Sequence, residues 1–117
     1  MNYLLVILEE PGQRSQRPPA EGQALYSSML AYAEALKAEG KLRAVESLQA
    51  DDKGQRVQVR NGQPRFVDGP FTEAKEMIGG FFLVDCEDLA EAAALAARCP
   101  AARWATVEVR PVGPCWM

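Results

Sequence analysis

Asp68 and Glu46 are the side chains of this 117-residue chain whose type and strand parity best suit acid–base chemistry. In an extended reading Asp68 shares the parity of Pro64 and Phe66. Glu46 shares that of Leu42, Ala44 and Leu48. Both carboxylates are then expected on an apolar side, where a charge must find a partner or take up a proton. Lys75 and Arg110 are the candidate partners. Together the four outline a polar cleft in which Asp68 would act as general base or anchor a ligand. The competing reading, which the spacing favours, makes Asp68 a turn residue that accepts backbone N–H bonds before Gly69-Pro70.

Glu73, Lys75 and Glu76 follow that turn and would form either a wall of the same cleft or a solvated face. Arg56, Arg60 and Arg65 share one face of a hairpin. They would bind an anion, or more simply keep an exposed strand edge from pairing. Gly79-Gly80 is read as following a helix and preceding a strand, the wrong order for a phosphate loop. The chain has no histidine. This excludes Ser-His-Asp and Cys-His catalysis and any His-based metal site or proton switch. Cys86, Cys99 and Cys115 are an odd, widely spaced set that fits neither a disulfide framework nor zinc. No cofactor or metal is expected.

The elements that must position these groups fit one domain over residues 1–117. Apolar content of 48% with 25% charged residues is that of a globular chain. A formal net charge of −3 gives no generic attraction to nucleic acid or anionic membrane. The apolar run Tyr3 to Leu8 is too short to span a bilayer and lacks a basic residue before it, so a cytoplasmic location is expected.

Residues 2–9 and 81–86 read as strands apolar on both faces, hence central and covered on both sides. Residues 10–20 read as a loop. Residues 21–39 read as a helix with a stripe of Leu25, Met29, Tyr32 and Leu36, stopped by Gly40. The stripe would be a core face or, less simply, a ligand groove. Residues 42–49 alternate as a strand, and 50–54 read as a turn. Residues 56–60 and 63–68 form a hairpin about Asn61-Gly62 that pairs Val57 with Phe66 and Val59 with Pro64. Thr72 is expected to cap a short helix over 73–78. Residues 88–98 read as a helix with Leu89, Ala92, Ala93 and Ala96 inward, 105–112 as a strand, and Gly113 to Met117 as a tail. Without the hairpin and short helix the order is β-α-β-β-α-β, a ferredoxin-like α+β plan. Both helices then lie on one sheet face. The other face carries apolar side chains, for which a second copy of the chain is the simplest cover.

The run from Val67-Asp68-Gly69-Pro70-Phe71 through Lys75-Glu76 to Gly79-Gly80 and Phe81 to Val84 resembles the hallmark of the DGPF branch of the YCII-related family. Met1 to Leu8, Glu46 to Gln49, Cys99 to Arg103 and Val107 to Pro111 fit the same resemblance. It implies a ferredoxin-like fold and homodimers of the dimeric α/β-barrel type, packed sheet face to sheet face. It also implies a link to extracytoplasmic-function sigma factors. The His-Asp pair proposed as catalytic in that family cannot carry over: Asp68 matches the Asp, but no histidine is present. The expected function is a ligand-binding or regulatory module. Its site would comprise Glu46, Asp68, Gly69, Pro70, Phe71, Lys75, Glu76 and Arg110 around an unknown small molecule. The alternative is a histidine-free hydrolase or isomerase using Asp68 as base and Lys75 or Arg110 to hold an anion.

Overall fold

In the computed structural model, which describes residues 1–116, a four-stranded antiparallel sheet is backed by two helices. The strands are β1 (Asn2–Glu9), β2 (Leu42–Ser47), β5 (Met77–Asp85) and β6 (Thr106–Pro111), in the order β2-β5-β1-β6. β3 (Gln55–Arg60) and β4 (Gln63–Asp68) pair only with each other. The helices are α1 (Pro19–Ala38) and α2 (Leu89–Arg98). β1 and β5 are central, as their two apolar faces require. This α+β arrangement is consistent with the ferredoxin-like plan. Of the tail, Met117 lies outside the described residues.

The core lies on one side of the sheet. Tyr3, Leu5 and Ile7 of β1 and Phe82 and Val84 of β5 meet Tyr32, Ala33 and Leu36 of α1 and Ala92, Leu95 and Ala96 of α2. The Tyr32 hydroxyl donates to the Leu95 carbonyl at 2.6 Å and ties the helices together. Burial raises its pKa above the ordinary 10.0. α2 is capped by Asp88, whose carboxylate accepts from the Glu91 N–H at 2.8 Å. Its inward stripe is Ala92, Leu95 and Ala96, so Leu89 and Ala93, expected inward, are exposed. The alternate side chains Leu4, Val6, Leu8, Phe81 and Leu83 are partly exposed on the opposite face. The molecule is 19 Å through its thinnest axis, about the depth of one sheet and one helix layer, given packing distances of roughly 10 Å per layer. No described helix is long and apolar enough to cross a membrane.

Three local expectations are corrected. The helix expected over 73–78 does not form. β5 already begins at Met77, which pairs with Glu9, while Ile78 pairs with Leu8. Ladder pairing and burial of Met77 outweigh the weak helical pattern, and Gly79-Gly80 lie inside a strand rather than ending a helix. Next, β2 slips register between Leu42 and Ala44. Leu42 then shares the core side with its partner Val84, but Ala44 and Glu46 lie opposite Leu83 and Phe81 on the far face, so Glu46 is exposed. Finally, the hairpin has the expected register, with Asn61 and Gly62 at positive φ, but every residue of both its strands is exposed. Asp68 therefore has no apolar side to point into.

Candidate functional site

Glu9 continues the inward parity of Tyr3, Leu5 and Ile7, and among the described residues it is the one charged residue that is buried. Such a carboxylate needs a partner, and Arg14 supplies it. Arg14 Nε donates to Glu9 Oε1 at 2.9 Å and Nη2 donates to Oε2 at 2.6 Å, a side-by-side pair. The Glu9 hydrogen bond holds the guanidinium proton more firmly than usual. Arg14 reaches further: Nη1 donates to the Leu48 carbonyl at 2.7 Å and Nη2 to the Gly79 carbonyl at 3.2 Å. One side chain thus joins the ends of β1, β2 and β5.

The glycine pair makes this possible. The β1–β5 register shifts between Ile7 and Leu8, leaving Gly79 as the extra residue of a bulge. Its carbonyl also accepts from the Leu48 N–H at 2.9 Å. A Cβ on Gly79 would fall 1.6 Å from Glu9 Oε2, and one on Gly80 would fall 2.8 Å from the Glu46 carbonyl oxygen.

Above this joint, the N-terminal half of α1 stands away from the sheet and leaves a half-enclosed cavity of about 660 Å³. Leu25, Met29 and Ala33 of α1 line it together with Val45, Phe82 and Trp104, and its polar lining is Glu9, Arg14, Arg17, Glu46, Ser47 and Gln49. The helix stripe thus divides its duties. Tyr32 and Leu36 pack in the core, and Leu25 lines the cavity. Arg17 stands over the Trp104 ring, 5.9 Å from its centroid. Gln13 Nε2 donates to the Trp104 carbonyl at 3.0 Å.

The expected site residues are not brought together. Glu46 borders the cavity, but Asp68, Gly69, Pro70, Phe71, Lys75, Glu76 and Arg110 do not. Asp68 accepts from Gln55 Nε2 at 2.8 Å, a side-chain partner rather than the backbone donors expected of a turn aspartate. Arg110 pairs with Glu108 at 3.3 Å. Lys75 and Glu76 are exposed. The segment Gly69 to Phe71, with its cis Gly69–Pro70 bond, forms a joint at the base of the hairpin. The Gly69 N–H donates to the Gly54 carbonyl at 3.0 Å and the Phe71 N–H to Asp51 Oδ2 at 3.3 Å. Arg56 lies over the Phe71 ring, 4.0 Å from its centroid, so one arginine of the hairpin face is already engaged.

Glu9, Arg14, Arg17 and Trp104 were missed. A signal existed for the first two. Glu9 is a charged residue ending a strictly inward alternation, and the nearest following cation is Arg14. Among the described residues, no group of three Cys, Asp or Glu side chains is placed to hold a metal ion. A buried ion pair beside an apolar cavity can orient and desolvate a small molecule.

A family model described as the YCII-related domain matches residues 1–115. No curated protein matches the chain in sequence. Among solved structures, it is similar to 5-chloro-2-hydroxyhydroquinone dehydrochlorinase (TftG) from Burkholderia phenoliruptrix AC1100 in complex with 2,5-dihydroxybenzoquinone. The TM-score is 0.58 at 21% identity, over 97% of this chain and 94% of that one.

Proposed function

We propose, from the premise that this chain belongs to the YCII-related family, that it is a small-molecule-binding domain whose ligand occupies the cavity between α1 and the sheet. The observation that carries this reading is the cavity itself. Its volume of about 660 Å³ lies within the roughly 300–1,000 Å³ usual for ligand sites, and it has the usual makeup of mainly apolar walls with a smaller set of polar groups. The ligand of the structural neighbour, 2,5-dihydroxybenzoquinone, is a small hydroxylated ring. A compound of that size suits this space.

Binding is favoured over catalysis by the state of the buried Glu9 carboxylate. Glu9 is clamped by two donors from Arg14, an arrangement that fits holding the cavity end in shape better than taking up a substrate proton. Asp68, the base of the hydrolase or isomerase alternative, lies outside the cavity. The cavity is tested by isothermal titration with 1-naphthamide, a neutral aromatic probe. Leu25→Trp, which fills the space from the helix side, is expected to abolish binding with little change in melting temperature. Equal binding by the variant would place the probe elsewhere and sink the reading.

The same proposal includes a homodimer closed through the open sheet face, and a regulatory role in which a sigma factor is the partner. The first is supported by the apolar residues left on that face. The second is supported by the family resemblance alone.

A further inference from the structure

The cavity lacks a cover and the hairpin lacks a support. Tyr26, Leu30 and Leu48 line the cavity yet stand about half exposed, so its rim presents apolar side chains to water. The hairpin presents a matching ridge. Val57, Val59, Pro64 and Phe66 share one of its faces, and Val57, Val59 and Phe66 are each more than half exposed. Its strands pair only with each other, and none of their residues lines the cavity. Rim and ridge therefore do not meet within one chain. A lone two-stranded hairpin is marginal in water. The arm also leaves the chain extended: its radius of gyration is 15.9 Å, against about 13 Å for a compact chain of this length.

Charge favours a meeting between copies. The hairpin carries Arg56, Arg60 and Arg65 against Asp68 alone, in a chain of net charge −3, so the body is more acidic than the whole. Glu46 in the cavity lining and Glu34, one helical turn beyond Leu30, have no ion-pair partner among the described residues, and neither do Arg60 and Arg65. The arginines lie on the face of the ribbon opposite the ridge. With the ridge docked they stay in water, and the basic arm is still steered to the acidic body.

We infer that in the homodimer each hairpin lies across the cavity rim of the other copy, with Val57, Val59 and Phe66 against the partner's Tyr26, Leu30 and Leu48. This rests on the dimer and cavity readings above. Six residues per strand make the arm roughly 20 Å long. That matches the 19 Å depth of the sheet and helix layers, which an arm leaving a sheet-to-sheet dimer must cross to reach the helix side. Two-fold symmetry makes the exchange reciprocal, so each copy completes the other's site. The area argument agrees. A stable interface takes roughly 800 Å² from each partner, and the side chains of the open sheet face are already partly shielded by their neighbours. The two arms add what the sheets lack.

The test is disulfide trapping between differently tagged, co-expressed copies. Cys115→Ser first removes the exposed native thiol, since Cys86 and Cys99 are buried. In that background Phe66→Cys is paired with Tyr26→Cys, and separately with Val6→Cys on the open sheet face. Oxidation is expected to link Phe66→Cys to Tyr26→Cys at least about tenfold faster than to Val6→Cys. Preferential linkage to Val6→Cys would place the arm on the sheet face and overturn the inference. So would a dimer by sedimentation in which neither pair links, since the arm would then be free for another protein. A chain that sediments as a monomer removes the dimer reading, and the inference with it. Phe66→Ser should weaken dimerisation about tenfold to hundredfold, the worth of one large apolar side chain, and should weaken 1-naphthamide binding as the rim opens. Val59→Ser takes its place if Phe66→Ser melts the hairpin. An unchanged dimer constant in both variants would also overturn the inference. A wild-type dimer that binds no 1-naphthamide removes the cavity reading, and with it the claim that the arm completes a site.

Discussion

At Gly79 the space a side chain would need is taken by the Glu9 carboxylate and Arg14. The residue is glycine because two other residues meet there, and their meeting should be measurable. Arg14→Met leaves a carboxylate buried without its partner, which is expected to cost about 3–5 kcal/mol. Glu9→Gln leaves a half-exposed arginine that water can still reach, so it should cost less. The double variant should cost well under the sum, because each single change already removes the same pair. Urea denaturation of the four proteins supplies the cycle. Strict additivity would mean that the pair holds nothing together. In the sequence, Glu9 and Arg14 were both visible, one as the polar end of an apolar alternation and the other as a loop cation. Their contact was not, because it depends on a bulge in a strand far along the chain.

At the scale of elements, the central strands, both long helices, the outer strands and the hairpin register were legible, because each rests on a local period or turn signal. The misplaced features have a common cause. The slip in β2 between Leu42 and Ala44 and the bulge at Gly79 are set by pairing between strands, which local alternation does not encode. Each displaces every inference that counted parity through it, Glu46 among them. The Asp-Gly-Pro-Phe hallmark was legible as a motif, but the hydrogen bonds of Gly69 to Gly54 and of Phe71 to Asp51 at the base of the hairpin were not.

The contact between α1 and α2 carries its own pH signature. Burial raises the pKa of Tyr32 above its ordinary 10.0. The folded chain therefore keeps a proton that the unfolded chain has already released. Stability from this group is full below pH 10 and declines as pH rises toward the folded value. Tyr32→Phe should cost about 1 kcal/mol at pH 7, the usual worth of one hydrogen bond, and should flatten the loss of stability measured above pH 10. An unchanged alkaline slope in the variant would assign that loss to other groups.

At the scale of the whole molecule, one sheet face remains bare. Leu4, Val6, Leu8, Phe81 and Leu83 are partly exposed there, and Ile78 is 54% exposed. The hairpin does not cover them, since its own Val57, Val59 and Phe66 are exposed as well. An isolated two-stranded hairpin is marginal in water, and contiguous apolar patches are rare on monomers. Sedimentation at micromolar concentration should therefore give a dimer, and Val6→Lys should shift it toward monomer. A wild-type chain that stays monomeric without aggregating would mean that the face tolerates water unaided. Pull-down from native cells at native expression then separates the two partner proposals. Recovery of a sigma factor supports a physical link, whereas recovery of the chain alone leaves the homodimer as the assembly.

The adjacency of β1 and β5 also sets an order of events in time. Glu9 pairs with Met77, so β1 must wait for a strand that leaves the ribosome well after it. Until then Leu5 and Ile7 have no sheet partner on the β5 side, and the entropy of closing so long a loop must be met before the central ladder gives anything back. The hairpin needs no such wait, because its two strands are joined by Asn61-Gly62 alone. During synthesis the strand pair least attached to the finished core is therefore the first strand pair able to form. The piece on which the core depends stays uncommitted, with its apolar side chains exposed to whatever else is in the cell, until the bulge at Gly79 arrives to receive Glu9.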